Sequence, residues 1–211
     1  MDSLIMIAGD VFVSRSDPAL ALTSIAGFLK VADIRFCNLE SPLSVRGSPF
    51  PAKGSCLRAP PPNIQALTGN FDAVSLSNNH ILDYGVDAVE DTLQTLRTHG
   101  IAQVGYGQTV GEAWAPIILK HQGCRFGFIA FSMVAPPSYA ATSSRSGISL
   151  LEVETAYITD AETLSEQPGT PPIVRTSLSP VSKHRLSAAC RAARDSCDLL
   201  IVSFLGRCIF N

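Results

Sequence analysis

Three apolar runs near the start of the chain each close on side chains able to ligate. Leu4-Ile5-Met6-Ile7-Ala8 runs into Gly9-Asp10, and Ile34-Arg35-Phe36-Cys37 into Asn38-Leu39-Glu40. Phe71-Asp72-Ala73-Val74-Ser75-Leu76 runs into Asn78-Asn79-His80, shortly before Asp83-Tyr84-Gly85. Short apolar runs bounded by turn signals read as buried strands. In an open parallel sheet the loops leaving the carboxyl ends of the strands converge, and ligands bind there. If the three strands are neighbours, Asp10, Glu40, Asn79 and His80 therefore meet along one edge.

The segments between these runs support strand–helix alternation. Asp17-Pro18 is a helix-start signal, Asp as N-cap and Pro at the first helical position, with Leu20, Ile25, Phe28 and Leu29 giving an apolar face up to Lys30. Residues 41–62 are rich in Pro, Ser and Gly, longer than an ordinary connection, and so marked as functional or mobile. A short helix is expected at Asn63–Leu67. The strongest helical pattern is Val86–His99, with Val86, Val89, Leu93 and Leu96 on one face and Gly100 beyond its end.

Ile101–Val104 reads as a strand, and Ile117–Lys120 with Arg125–Phe131 as a hairpin through Gln122-Gly123. Residues 135–147 and 167–180 read as Pro-containing loops, Ser182–Ser196 as an Ala-rich helix and Asp198–Phe204 as a last strand. The expected class is α/β, mostly parallel, with an antiparallel hairpin at one edge. At 211 residues the chain can bury a full core in one domain or make two small ones.

The composition removes several functions. The chain is 46% hydrophobic and 16% charged with net charge −2, and its basic residues are scattered, which argues against a nucleic-acid partner or a polybasic membrane patch. No apolar run approaches the ~18–20 residues of a membrane span, and Asp2 stands where a secretory signal needs basic residues. The six cysteines form no C-x-x-C pair and read as reduced thiols, which points to a cytoplasmic location.

Two carboxylates, an amide oxygen and an imidazole make a mixed oxygen/nitrogen donor set suited to Mn, Fe or Zn as divalent ions. Such a set serves metal-assisted hydrolysis at a phosphorus or carbonyl centre. Each residue also has a plain structural reading. Asp10 could cap a turn, Glu40 could pair with Arg35 or Arg46, His80 could be a satisfied core histidine, and Asp83 could cap the helix near Val86. Gly105-Tyr106-Gly107 lacks the third glycine of a dinucleotide loop and reads as a turn. His99, His121 and His184 read as surface residues.

Gly9-Asp10-Val11-Phe12, the run from Ala32 to Pro42, the run from Phe71 to Gly85, Val104-Gly105-Tyr106-Gly107 and Ala113-Trp114-Ala115-Pro116 together resemble the CapA capsule-synthesis family. The resemblance covers most of residues 4–131. It implies a single CapA-like domain with a calcineurin-like metallophosphoesterase fold, a layered sheet with flanking helices, and a link to poly-γ-glutamate synthesis.

By the same resemblance, Asp10, Glu40, Asn79 and His80 are the metal residues, and His80 and Asp83 the catalytic ones, with His80 orienting or protonating the reacting group. The family strand matching residues 198–204 should end in His-Trp-Gly, whereas this one ends Phe204-Leu205-Gly206. The family's later His-rich motif has no counterpart before Asn211, so the resemblance implies a domain incomplete at its C-terminus. A domain of that kind would have a partial hydrolase site with weak metal binding and an uncovered apolar face open to self-association. A non-catalytic accessory or scaffold protein binding polyglutamate or another anionic partner is the alternative expectation.

Overall fold

The structure is a computed structural model that describes residues 3–51, 53–160 and 165–206. Arg207–Asn211, which departs from the family pattern in the sequence, and with it Cys208 lie outside the described residues. The first three strands, β1 (Ile5–Val11), β2 (Ile34–Leu39) and β3 (Ala73–Ser75), pair in parallel in that order, and β4 (Ala102–Val104) continues the sheet. A second sheet is built on β7 (Cys124–Ser132), with β6 (Ile117–His121) antiparallel on one side and β11 (Leu199–Leu205) parallel on the other. The neighbour relation that the site requires is therefore present, and the α/β class with a parallel sheet and flanking helices is observed.

Period-two alternation sends neighbouring residues of one strand into different layers. Phe36 packs with Ala73, Val104 and Phe128 between the two sheets, whereas Cys37 joins Val74, Leu76, Val89 and Leu96 under α2 (Val86–Thr98). Likewise Phe128 faces the first sheet, while Ile129 and Phe131 face the other way. They pack with Ala193 of α4 (Pro180–Asp195) and with Trp114, which follows the single turn α3 (Val110–Ala113). The result is helix, sheet, sheet, helix. The Phe36 and Phe128 rings stack at 5.0 Å between centroids, which ties the two sheets together.

Local chemistry explains where the elements end. Helix α2 stops in a Schellman motif: Gly100 adopts φ +68°, its N–H reaches the Arg97 carbonyl and the Ile101 N–H reaches Leu96. The β6–β7 hairpin turns on Gln122 (φ +48°) and Gly123 (φ +84°), the two left-handed residues of a type I′ turn.

Three expectations need correction. The helix expected from Pro18 to Lys30 is a 3-10 turn, Pro18–Leu20, and a single turn α1, Ala26–Leu29. Leu20, Ile25 and Phe28 stay exposed, so burial does not offset the cost of propagating a helix through this stretch. The supposed loop at 167–180 contains β10 (Ile173–Leu178), paired antiparallel with β9 (Val153–Ile158). Pro171-Pro172 obscures its alternation of Ile173, Arg175 and Ser177 against Val174, Thr176 and Leu178. His121 is half-buried rather than exposed, with Nε2 3.2 Å from Asp33 Oδ1.

The turn at Gly105 (φ +91°) opens into the short strand β5 (Tyr106–Gly107), which pairs with β8 (Gly147–Ile148). The five described cysteines are free thiols, and no helix among the described residues is long and apolar enough to cross a membrane.

Candidate functional site

Asp10 lies inside β1, not beyond it. The β1–β2 register slips between Ile7 and Asp10, so Ile7 pairs with Phe36 but Asp10 with Asn38. This bulge at Ala8-Gly9 re-aims the strand and sets Asp10 beside β2. Asn38 is the residue that joins the two acids: its Nδ2 donates to Asp10 Oδ1 at 2.8 Å and to Glu40 Oε2 at 2.6 Å. Glu40 pairs with neither Arg35, which is held by Asp72, nor Arg46, which is held by Asp91.

The turn after β3 is shaped by Asn78, which is fully buried. Its Oδ1 accepts from the His80 and Ile81 N–H groups at 2.9 and 2.8 Å, and its Nδ2 donates to Asn38 Oδ1 and to the Leu39 carbonyl. Asn78 is thus a turn-former, and Asn79 and His80 are presented by it. The Asn79 side-chain amide is half-buried and makes no hydrogen bond among the described residues. His80 Nε2 stands 3.9 Å from Glu40 Oε1.

Asp83 does not cap α2, whose N-cap is Gly85 without a side-chain bond. Its carboxylate is wholly buried and takes four partners instead. Oδ1 accepts from Lys53 Nζ at 2.5 Å and from the Tyr139 hydroxyl at 3.1 Å. Oδ2 accepts from the Leu57 N–H at 2.7 Å and lies 2.6 Å from His80 Nδ1. Lys53 Nζ, a donor only, also stands 3.1 Å from Nδ1; with the Nδ1 proton given to Asp83, the tautomer a carboxylate acceptor favours, Nε2 is the nitrogen left on the Glu40 side.

Lys53 also donates to the Asn79 carbonyl at 2.5 Å, which ties the 41–62 stretch to the Asn-His turn. Gly47 makes the same approach possible: at φ +82°, an added Cβ would lie 1.8 Å from the Tyr84 carbonyl oxygen. Sequence reasoning missed Lys53, Tyr139 and the bridging role of Asn38. For Lys53 the only signal was the length of the irregular segment carrying it.

Among the described residues no Lys or Arg forms an ion pair with Asp10 or Glu40. Burial first and Asp10 second push the Glu40 carboxyl up to about 7, against the opposing pull of Asn38 and Lys53. Burial, then the Asp83 charge, raise the Tyr139 hydroxyl and keep it a donor. A raised carboxyl destabilises the fold once the unfolded form ionises. Stability is therefore full below pH ~4.5 and falls as pH rises towards about 7. In chelator-treated buffer the protein is expected to be less stable at pH 8 than at pH 5, on the order of 1–2 kcal/mol after allowing for solvent access. Glu40→Gln should flatten that slope; chemical denaturation at both pH values measures it.

The donors fit a divalent ion in chemistry: Asp10, Glu40, the free Asn79 amide and His80 Nε2 offer oxygen and nitrogen, and a cation would relieve the crowding of the two acids. They are not assembled as a closed shell. Among the described residues no group of three or more His, Cys, Asp or Glu side chains converges to hold an ion. Phe204 stacks on Phe131 and contributes no ligand.

The family model described as bacterial capsule synthesis protein PGA_cap matches residues 5–205, a family with a metallophosphoesterase-like fold. An uncharacterised protein of Sinorhizobium fredii is 28% identical over 184 residues, covering 78% of this chain and 39% of its own length. A probable polyglutamine synthesis accessory protein of Mycobacterium tuberculosis is 35% identical over 124 residues, 56% of this chain and 33% of its own. The PGA biosynthesis protein CapA of Bacillus subtilis is 30% identical over 80 residues, 37% of this chain and 21% of its own. The chain spans about two fifths of the length of the first of these relatives.

Proposed function

The chain belongs to the bacterial capsule synthesis protein family PGA_cap, and from that premise we propose that it handles an anionic glutamyl polymer at the Asp10–Glu40–His80 edge, with weak metal binding and little hydrolytic turnover. One observation carries this reading: Asn38 holds Asp10 and Glu40 together while Asp83 holds His80 with Nε2 left on the Glu40 side, 3.9 Å from Oε1. Asp10, Glu40, Asn79 and His80 would hold a divalent ion such as Mn, Fe or Zn. Bound there, it would polarise a substrate oxygen or activate water.

The chain's own residues divide the remaining work. Asp83 keeps the His80 proton on Nδ1, so that Nε2 can take a proton from, or orient, a group at the edge. Lys53 compensates the Asp83 charge. The Tyr139 hydroxyl, held as a donor, fixes the second lobe of Asp83 Oδ1.

A second reading, a non-catalytic accessory or scaffold protein binding the same polymer, is favoured by the unassembled donor set. Retention on immobilised polyglutamate, measured beside turnover of phosphoester and peptide substrates, separates the two. Retention with slow, chelator-sensitive turnover is expected. Retention with none supports the accessory reading, and no retention contradicts both.

A further inference from the structure

An open cleft of about 370 Å³ leaves the edge at Asp10 and is lined by Val11, Phe12, Val13, Ser14, Arg15, Ala21 and Leu22 as well as Asp10 itself. The segment that forms it is anchored from below: buried Asn63 donates from Nδ2 to the Val13 carbonyl at 2.7 Å, and Pro18 is buried. Arg15 is the one basic side chain in the cleft, and it makes no hydrogen bond or ion pair among the described residues. The basic groups around the site are otherwise committed. Lys53 is held by Asp83, Arg35 by Asp72 and Arg46 by Asp91, while Arg58 lies over the Tyr84 ring.

The walls and the charge suit a ligand that carries both apolar carbons and a carboxylate. Val11, Phe12, Val13, Ala21 and Leu22 offer apolar surface to methylene groups, and a guanidinium offers a planar fork to a carboxylate. A γ-linked glutamyl chain carries both, with methylenes in its backbone and a pendant carboxylate on every unit. We propose that Arg15 is a specificity-determining residue that seats the pendant carboxylate of such a chain in this cleft, which opens from Asp10. This rests on the polymer-handling reading above and adds the residue that selects the polymer's carboxylate.

The test is fluorescence anisotropy of a labelled γ-linked glutamate tetramer with the full chain. Arg15→Ala is expected to weaken binding about tenfold, since it removes the charge-assisted fork to the carboxylate. Arg15→Lys should restore binding in part, keeping the charge but losing the fork. Glutarate should compete at lower concentration than inorganic phosphate; the reverse order assigns the cleft to a phosphoester and overturns the proposal. Binding unchanged by Arg15→Ala but weakened by Asp10→Asn overturns the role of Arg15 and leaves polymer handling standing. Absence of binding by the unaltered protein overturns both. Arg15 is exposed, so its replacement leaves the fold intact.

Discussion

Replacing Asp83 with alanine is expected to lower the stability of the fold by about 3–5 kcal/mol, because it leaves the Lys53 ammonium without its buried partner. The same change also orphans the Leu57 N–H and the Tyr139 hydroxyl, both of which end on this carboxylate. Lys53→Met should be damaging for the mirror reason, an uncompensated carboxylate that is wholly buried. The double variant Lys53→Met with Asp83→Asn is the informative one. It removes both charges at once and should recover part of the loss, a positive coupling of ~1–3 kcal/mol in a double-mutant cycle with the Lys53→Met and Asp83→Asn single variants. Urea denaturation of the four proteins measures it. Strict additivity would mean that Lys53 and Asp83 are not a unit, and the link between the 41–62 segment and the Asn-His turn would have to be found elsewhere.

Phe128→Ala is expected to cost about 3–5 kcal/mol, the usual range for deleting a buried Phe ring. Phe128 is fully buried and stacks on Phe36, so the cavity would open between the two sheets, where neither backbone can readily close it. The cost should appear as a lower denaturation midpoint with an unchanged slope. Phe126→Ala, near the strand's start and slightly more exposed, should cost less.

Much of this architecture was readable in the chain because periodicity and turn chemistry act locally. Strands β1 to β4, helix α2 and the β6–β7 hairpin each carry their own signal: a short apolar run bounded by turn residues, a 3.6-residue face, or a Gln-Gly turn. The errors came where tertiary contacts decide. Leu20, Ile25 and Phe28 have helical spacing but no surface to bury against, so no long helix forms. The hairpin β9–β10 has little burial on either strand, and its prolines hid a pattern that pairing alone sustains.

The site was half legible for the same reason. Asp10, Glu40, Asn79 and His80 could be placed from the ends of apolar runs. The Ala8-Gly9 bulge that turns Asp10 onto Asn38 carries no signal beyond a glycine. Lys53 and Tyr139 reach Asp83 across 30 and 56 residues, a distance over which no local pattern extends. Residues at strand ends sit at predictable places on a parallel sheet, whereas Lys53 and Tyr139, which hold Asp83, arrive from distant segments.

Titration calorimetry of the chelator-treated protein with Mn²⁺ and with Zn²⁺, on the unaltered chain and on Asp10→Ala and Glu40→Gln, tests the edge as a metal site most directly. Weak uptake of a single ion, lost in Asp10→Ala and reduced in Glu40→Gln, is the result expected. Tight uptake of two ions, or uptake that neither substitution changes, would contradict it.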